Sequence, residues 1–217
     1  MTIGVAIDGP AGAGKSTISK KVAKMLELEY IDTGAMYRAI TYKIIRDNVN
    51  IDDERALQAL LDSTQIDFEN NHIVLDGNNV DNLIRDQKIN ENVSNVASVK
   101  AIRLWLVEKQ RAIAENKNVI MDGRDIGTYV LPKASVKIFL TASAAERGRR
   151  RYEELIIKGE KVTLKEIIES IEKRDYIDSH REFAPLKQAD DAIILDSTEL
   201  GIDDVVEEII QIVKKVI

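Results

Sequence analysis

Nine residues near the start of the chain constrain it most: Gly9-Pro10-Ala11-Gly12-Ala13-Gly14-Lys15-Ser16-Thr17. Before them lies Ile3-Gly4-Val5-Ala6-Ile7, a short apolar run that reads as a buried strand. After them Ile18, Val22, Met25 and Leu26 recur at helical spacing. Strand, glycine-rich loop and helix together fit the G-x-x-x-x-G-K-[ST] phosphate cradle. Its glycines let the backbone curl until successive N–H groups face phosphate oxygens, and the helix start adds a positive end. Lys15 can then reach the outer phosphates, and the Ser16 hydroxyl can ligate Mg²⁺. Gly9, Gly12, Ala13, Gly14, Lys15, Ser16 and Thr17 are therefore the expected nucleotide-phosphate site.

A cradle of this kind needs a sheet behind it, and the rest of the sequence supplies one. Short apolar runs recur at 118–121, 136–140 and 192–195, each followed by a turn or a helical stretch. Ser143-x-x-Glu146 and Thr163-x-x-Glu166 have capping-box spacing and mark two helix starts. Ile202, Val205, Val206, Ile209, Ile210 and Val213 give the last helix one apolar face. This alternation predicts an α/β fold: a parallel β-sheet core flanked by helices. Residues 65–85 break the rhythm. Ile66–Glu69, Asn70-Asn71, His72–Leu75, Asp76-Gly77 and then 80–84 read as strands joined by tight turns, a small antiparallel β insert.

Composition narrows what such a fold can do. The chain has 217 residues, 44% hydrophobic and 31% charged, with a net charge of −6. The acidic balance argues against a surface that coats nucleic acid. No uncharged run exceeds eight residues, far short of the roughly 20 that a membrane span needs. Cysteine is absent, and the N-terminus lacks a basic region followed by an apolar one. These features point to the cytoplasm.

A phosphate cradle names a nucleotide and leaves the reaction open. A small kinase, a GTPase switch and a nucleic-acid ATPase all use one. The guanine-reading Asn-Lys-x-Asp pattern fails, because Asn116-Lys117 is followed by Asn118-Val119. A small kinase needs a second anionic site lined with arginine, whose planar fork grips phosphate bidentately. Arginines and acids gather at four places: Asp32 to Arg38, Asp122-Gly123-Arg124-Asp125, Arg147 to Arg151, and Arg174, Asp175, Asp178 and Arg181. Asp122 ends an apolar run, where an acid can hold the water shell of a metal. Arg147–Arg151 also fit a solvated helix face, and Arg174 with Asp178 a surface ion pair. His72 and His180 read as structural or exposed, and Trp105 as helix packing. Nothing suggests covalent catalysis.

These pieces, in this order, resemble the bacterial-type cytidylate kinases, a family of nucleoside monophosphate kinases. The resemblance rests on Ile7-Asp8-Gly9 through Thr17, Asp32-Thr33-Gly34-Ala35-Met36-Tyr37-Arg38, Asp122 through Gly127, Val136 through Leu140, Arg174-Asp175, Ala184-Pro185-Leu186 and Leu195-Asp196-Ser197. Thr33 stands where many members carry serine and keeps the hydroxyl. The resemblance implies an adenylate-kinase-like fold and transfer of phosphate from ATP to CMP or dCMP with Mg²⁺. It implies a core at 1–32 and 93–217, a monophosphate-binding region at 33–92 and a short lid at 149–163. It places Thr33, Tyr37, Arg38 and Arg124 at the monophosphate, and Ser94, Arg103 and Asp125 at the cytosine edge. Arg174, Asp178 and Arg181 would approach the sugar and phosphate of CMP. Arg147 would lie near the adenine of ATP and Arg151 near its phosphates. Lys15, Arg124, Arg151 and Arg181 would stabilise the reacting charge, and Ser16 and, through water, Asp122 would hold the metal. A kinase for another acceptor such as UMP, or a regulatory binding module, is the alternative. A monomer is expected.

Overall fold

The computed structural model describes residues 2–69 and 72–216, and the chain divides into two compact units. The first holds the chain up to Tyr30 and from Asn116 onward. Its frame is a five-stranded sheet in the order β2-β6-β1-β7-β8. The strands are β1 (Gly4–Asp8), β2 (Glu29–Asp32), β6 (Val119–Gly123), β7 (Val136–Thr141) and β8 (Ile193–Asp196). β1 runs parallel to β6 and β7, with Asp8 level with Gly123 and with Phe139. Val5, Ala6, Ile7, Ile120 and Met121 are fully buried, as expected of strands covered on both faces.

Helix α1 (Lys15–Leu26) and helix α8 (Ile202–Lys214) bury Ile18, Val22, Val205, Ile209 and Val213 in one cluster with Val5, Ile7 and Ile138. Each such side chain removed from water contributes roughly 1.5–3 kcal/mol. Helices α6 (Ala144–Ile157) and α7 (Leu164–His180) pack against each other. Ser143 caps α6 by accepting from the Glu146 N–H at 3.2 Å. Thr163 and Glu166 form the full reciprocal capping box on α7. Gly159, at φ +79, lies in the turn between the two helices.

The second unit is Ile31–Glu115. It contains α2 (Thr33–Arg46), α3 (Glu54–Asp62), a three-stranded antiparallel sheet, α4 (Gln87–Ser98) and α5 (Lys100–Ala114). Met36, Ile40, Leu61, Ile73, Leu75, Ile84, Ile102 and Leu106 form its own apolar core, with Trp105 packed against it. The insert is β3 (Ile66–Glu69), β4 (His72–Leu75) and β5 (Asn78–Asn79). Asp76 and Gly77, at φ 50 and 78, make the two-residue hairpin turn that Asp-Gly announces. The turn expected at Asn70-Asn71 lies outside the described residues.

One expectation is corrected. The third strand is Asn78–Asn79, not 80–84: the Val80 N–H still donates to the Ile73 carbonyl, and the chain then coils into a 3₁₀ turn, Leu83–Arg85. Val80 and Ile84 are buried in the apolar core of this unit. Their four-residue spacing puts them on one face of a strand as readily as of a helical turn, so spacing alone did not separate the two. Among the described residues no helix is long and apolar enough to cross a membrane.

The contact of α6 with α7 gives a stability test. A Cβ added at Gly148 would lie 2.4 Å from Ile168 Cγ1, closer than any real contact. Gly148→Ala should therefore destabilise the protein by about 1–3 kcal/mol, read as a lowered urea midpoint with an unchanged slope.

Candidate active site

The loop after β1 is shaped by what its glycines permit. A Cβ at Gly9 would sit 1.9 Å from the Leu140 carbonyl oxygen, so only glycine lets β1 and β7 approach this closely. Gly14 holds the left-handed φ of 84 from which α1 starts. Ala13 is fully buried, while Gly12 and Thr17 are exposed. Lys15, the first residue of α1, folds back over the loop, and its Nζ donates to the Gly9 and Pro10 carbonyls at 2.8 and 2.7 Å. Burial, aided by the field of Arg124, holds its pKa well below the usual lysine value, while Asp122 pulls the other way.

Asp122 stands at the C-terminal end of β6, level with Ile7 on β1. Its two oxygens accept from the Ser16 hydroxyl and the Tyr30 phenol, both at 2.8 Å. This all-oxygen pair at the helix start suits a hard cation such as Mg²⁺ that is bound mostly by phosphates and water. The described residues contain no cluster of three acids or histidines that could cage a metal unaided. Ser16 as ligand and Asp122 as outer partner are compatible with that donor set.

Beyond Asp122 the chain carries a second charged group. Arg124 Nε donates to Asp178 Oδ2 at 2.8 Å, and Arg181 donates to Asp125 Oδ1 at 3.3 Å. Burial pushes Asp178 up, but Arg124, Arg174 and Arg181 outweigh it and hold the carboxyl below its ordinary range. The Arg174–Asp178 surface-pair reading fails, because Asp178 is 3% exposed and sits among three arginines.

The four arginines of α6 part company. Arg147 is buried, donating to the carbonyls of Ala142 at 2.9 Å and Ala11 at 2.7 Å and to Asp175 at 2.6 Å. The other oxygen of Asp175 accepts from the Ala11 N–H at 2.9 Å. Arg149 lies on the outer face and pairs with Glu146 and Glu153. Arg150 reaches Glu146 and the Ser197 carbonyl. Arg151 is partly exposed beside Glu154. The solvated-face reading thus describes Arg149 and fails for Arg147.

The second unit holds its own polar group. Thr33 begins α2, whose cap is Asp32, accepting from the Ala35 N–H at 2.8 Å. Arg103 is fully buried, donates to the Ala97 carbonyl at 3.0 Å and lies 5.1 Å over the Tyr37 ring. The buried Ser94 Oγ has no partner among the described residues. Arg38 donates to Asn90 Oδ1 at 3.3 Å.

Sequence reasoning gave no role to Asp8, Tyr30 or the Arg147–Asp175 pair. Asp8 had a usable signal, since it ends an apolar run as Asp122 does. Its oxygens accept from the backbone N–H of Ile126 at 2.8 Å and of Gly127 at 2.7 Å. Burial raises its pKa from 3.8 to about 6 against the pull of those two bonds. Tyr30 and the Arg147–Asp175 pair join elements far apart in sequence and leave no local pattern.

A parallel sheet that ends in this loop, with a buried lysine on it and an acid on the neighbouring strand, defines a phosphate-loop nucleotide-binding core. The family model described as cytidylate kinase matches residues 5–215. The chain is 54% identical over 212 residues to a cytidylate kinase of Alkaliphilus oremlandii, covering 98% of either chain. It is 52% identical over 206 residues to that of Clostridioides difficile, covering 95% of either. The chain belongs to the cytidylate kinase family. Its fold is also similar to that of an uncharacterized protein from Eubacterium ventriosum, with a TM-score of 0.57 at 14% identity, over 98% of this chain and 99% of that one.

Asp8 offers a test that needs no substrate. Its pKa is higher in the folded state than in the unfolded chain, so the folded state holds the proton more tightly. The carboxylate therefore costs stability at neutral pH, and that cost is relieved as pH falls through about 6. Wild type should gain about 1 kcal/mol relative to Asp8→Asn between neutral pH and about pH 5, measured by denaturant unfolding.

Proposed function

We propose that this protein transfers the γ-phosphoryl group of ATP to CMP or dCMP, giving ADP and CDP or dCDP. The observation that carries this reading is the cytidylate kinase match over residues 5–215, joined to a phosphate loop whose buried lysine faces carbonyls of the loop itself.

In this reading Gly9, Gly12, Ala13, Gly14, Lys15, Ser16 and Thr17 take the phosphates of ATP. An attacking oxygen of the CMP phosphate forms a bond to the γ-phosphorus as the bond to the β–γ bridging oxygen breaks. That oxygen is already a competent nucleophile, so no strong general base is required. Mg²⁺, held by Ser16 and through water by Asp122, would neutralise charge on the outer phosphates of ATP. Lys15 regains a favourable setting for its charge once phosphates replace the carbonyls it now touches. Arg124, Arg151 and Arg181 oppose the charge that gathers on the transferring group.

Thr33, Tyr37, Arg38, Arg174, Asp178 and Arg181 serve the sugar and phosphate of CMP. Ser94, Arg103 and Asp125 serve the cytosine edge. Support comes from the buried Ser94 hydroxyl, which has no partner among the described residues. Arg147 has three of its bonds committed to protein, which favours contact through the flat face of its guanidinium with adenine. We infer moving parts at 1–32 with 93–217, at 33–92, and at 149–163, the last acting as a lid that excludes water.

The test is a coupled ADP-release assay with each acceptor. Turnover with CMP or dCMP supports the reading, turnover with only another acceptor replaces the substrate, and binding without turnover replaces the class. Lys15→Ala should lower kcat about a thousandfold in a folded protein, because charge stabilisation at the transferring group is lost. Asp125→Ala should narrow the CMP-to-UMP ratio of kcat/KM by roughly tenfold or more, since a carboxylate accepts from the cytosine amino group and repels the uracil carbonyl.

A further inference from the structure

The turn after β6 starts without help from its own cap residue. Asp125 precedes the five-residue turn Ile126–Val130, and its side chain makes no capping bond. Its carbonyl accepts from the N–H groups of Tyr129 and Val130, which closes the turn. The leading N–H groups of such a turn need an outside acceptor. Asp8 provides it from the neighbouring strand, one carboxylate oxygen to Ile126 N–H and the other to Gly127 N–H. Asp125 Oδ1 meanwhile accepts from Arg181, with both side chains buried.

We propose that Asp8 is a positioning residue for the acceptor base: by capping the Ile126–Val130 turn from β1, it lets the Asp125 carboxylate serve the substrate. This rests on the reading of the chain as a CMP kinase. The larger effect should fall on the acceptor. The backbone of Asp8 is held in the sheet between Gly123 and Phe139, so the phosphate loop that begins at Gly9 keeps its anchor without the side chain. The hydrogen bonds of the carboxylate run to the other loop, while toward Lys15 it contributes only a weaker through-space field. Without it, the Asp125 carboxylate is the nearest capping group by sequence for the orphaned N–H groups, and it would turn inward to them.

Asp8→Asn keeps the shape but turns an NH₂ group toward one of the two N–H donors. Steady-state kinetics with ATP, CMP and UMP should show KM for CMP raised about tenfold, KM for ATP within about twofold of wild type, and the CMP-to-UMP ratio of kcat/KM narrowed about tenfold. Gly127→Ala approaches the same contact from the other side. A Cβ there would lie 3.4 Å from Asp8 Oδ2 and 3.1 Å from Cδ of Lys137, whose ammonium is tied to Asp191. It should give the same split, and it decides the matter if Asp8→Asn does not fold. Equal rises in KM for ATP and CMP, a fall in kcat alone, or an unchanged CMP-to-UMP ratio would overturn the proposal. Wild type is measured first: no turnover with CMP there overturns the functional reading instead.

Discussion

Charge without water governs the phosphate-loop unit. Asp8, Lys15, Asp122, Asp125, Asp178 and Arg181 are each less than 10% exposed. A buried charge is costly unless it is paired or hydrogen-bonded. The fold answers each one differently. Lys15 leans on two carbonyls, Asp122 on two hydroxyls, Asp8 on two backbone N–H groups, and Asp178 and Asp125 on arginines. The groups that answer most of these charges lie on other strands and helices, so the charges fix the geometry of the loops between elements as firmly as the apolar core fixes the sheet.

That arrangement also leaves the unit primed for anions. Lys15 is held below its ordinary pKa by burial and by Arg124, a setting that an anion bound beside it would reverse. The carbonyls it touches are weaker partners than phosphate oxygens. An anion bound there would exchange that compromise for a strong interaction, which is the sense in which such a site is organised in advance.

How much of this could be read from residues alone varies with distance along the chain. The loop, its strand and its helix are contiguous, and Gly9 to Thr17 announced them. The caps at Ser143 and Thr163 and the turn at Asp76-Gly77 are also local, and they stood where spacing put them. The stretch 80–84 misled because Val80 and Ile84 suit a strand or a turn equally, and tertiary burial decided. Arg147 and Asp175 lie 28 residues apart, and nothing near either one says that they share a bond with Ala11. That Arg124, Asp178 and Arg181 belong to charged groups could be read from the sequence, but the pairing of Arg124 with Asp178 and of Arg181 with Asp125 is a property of the folded chain.

The Arg147–Asp175–Ala11 contact bears on how sequences of this family could be recombined. Ala11 both gives and receives, its carbonyl to Arg147 and its N–H to Asp175, while those two side chains grip each other. A segment carrying α6 from a relative brings its own residue at 147, but leaves 175 and the loop behind if the junction falls between α6 and α7. Should the incoming residue be anything other than arginine, Asp175 would keep a half-satisfied carboxylate beside the phosphate loop. Crossover points for chimeras therefore belong before α6 or after α7, with the two helices inherited as one block.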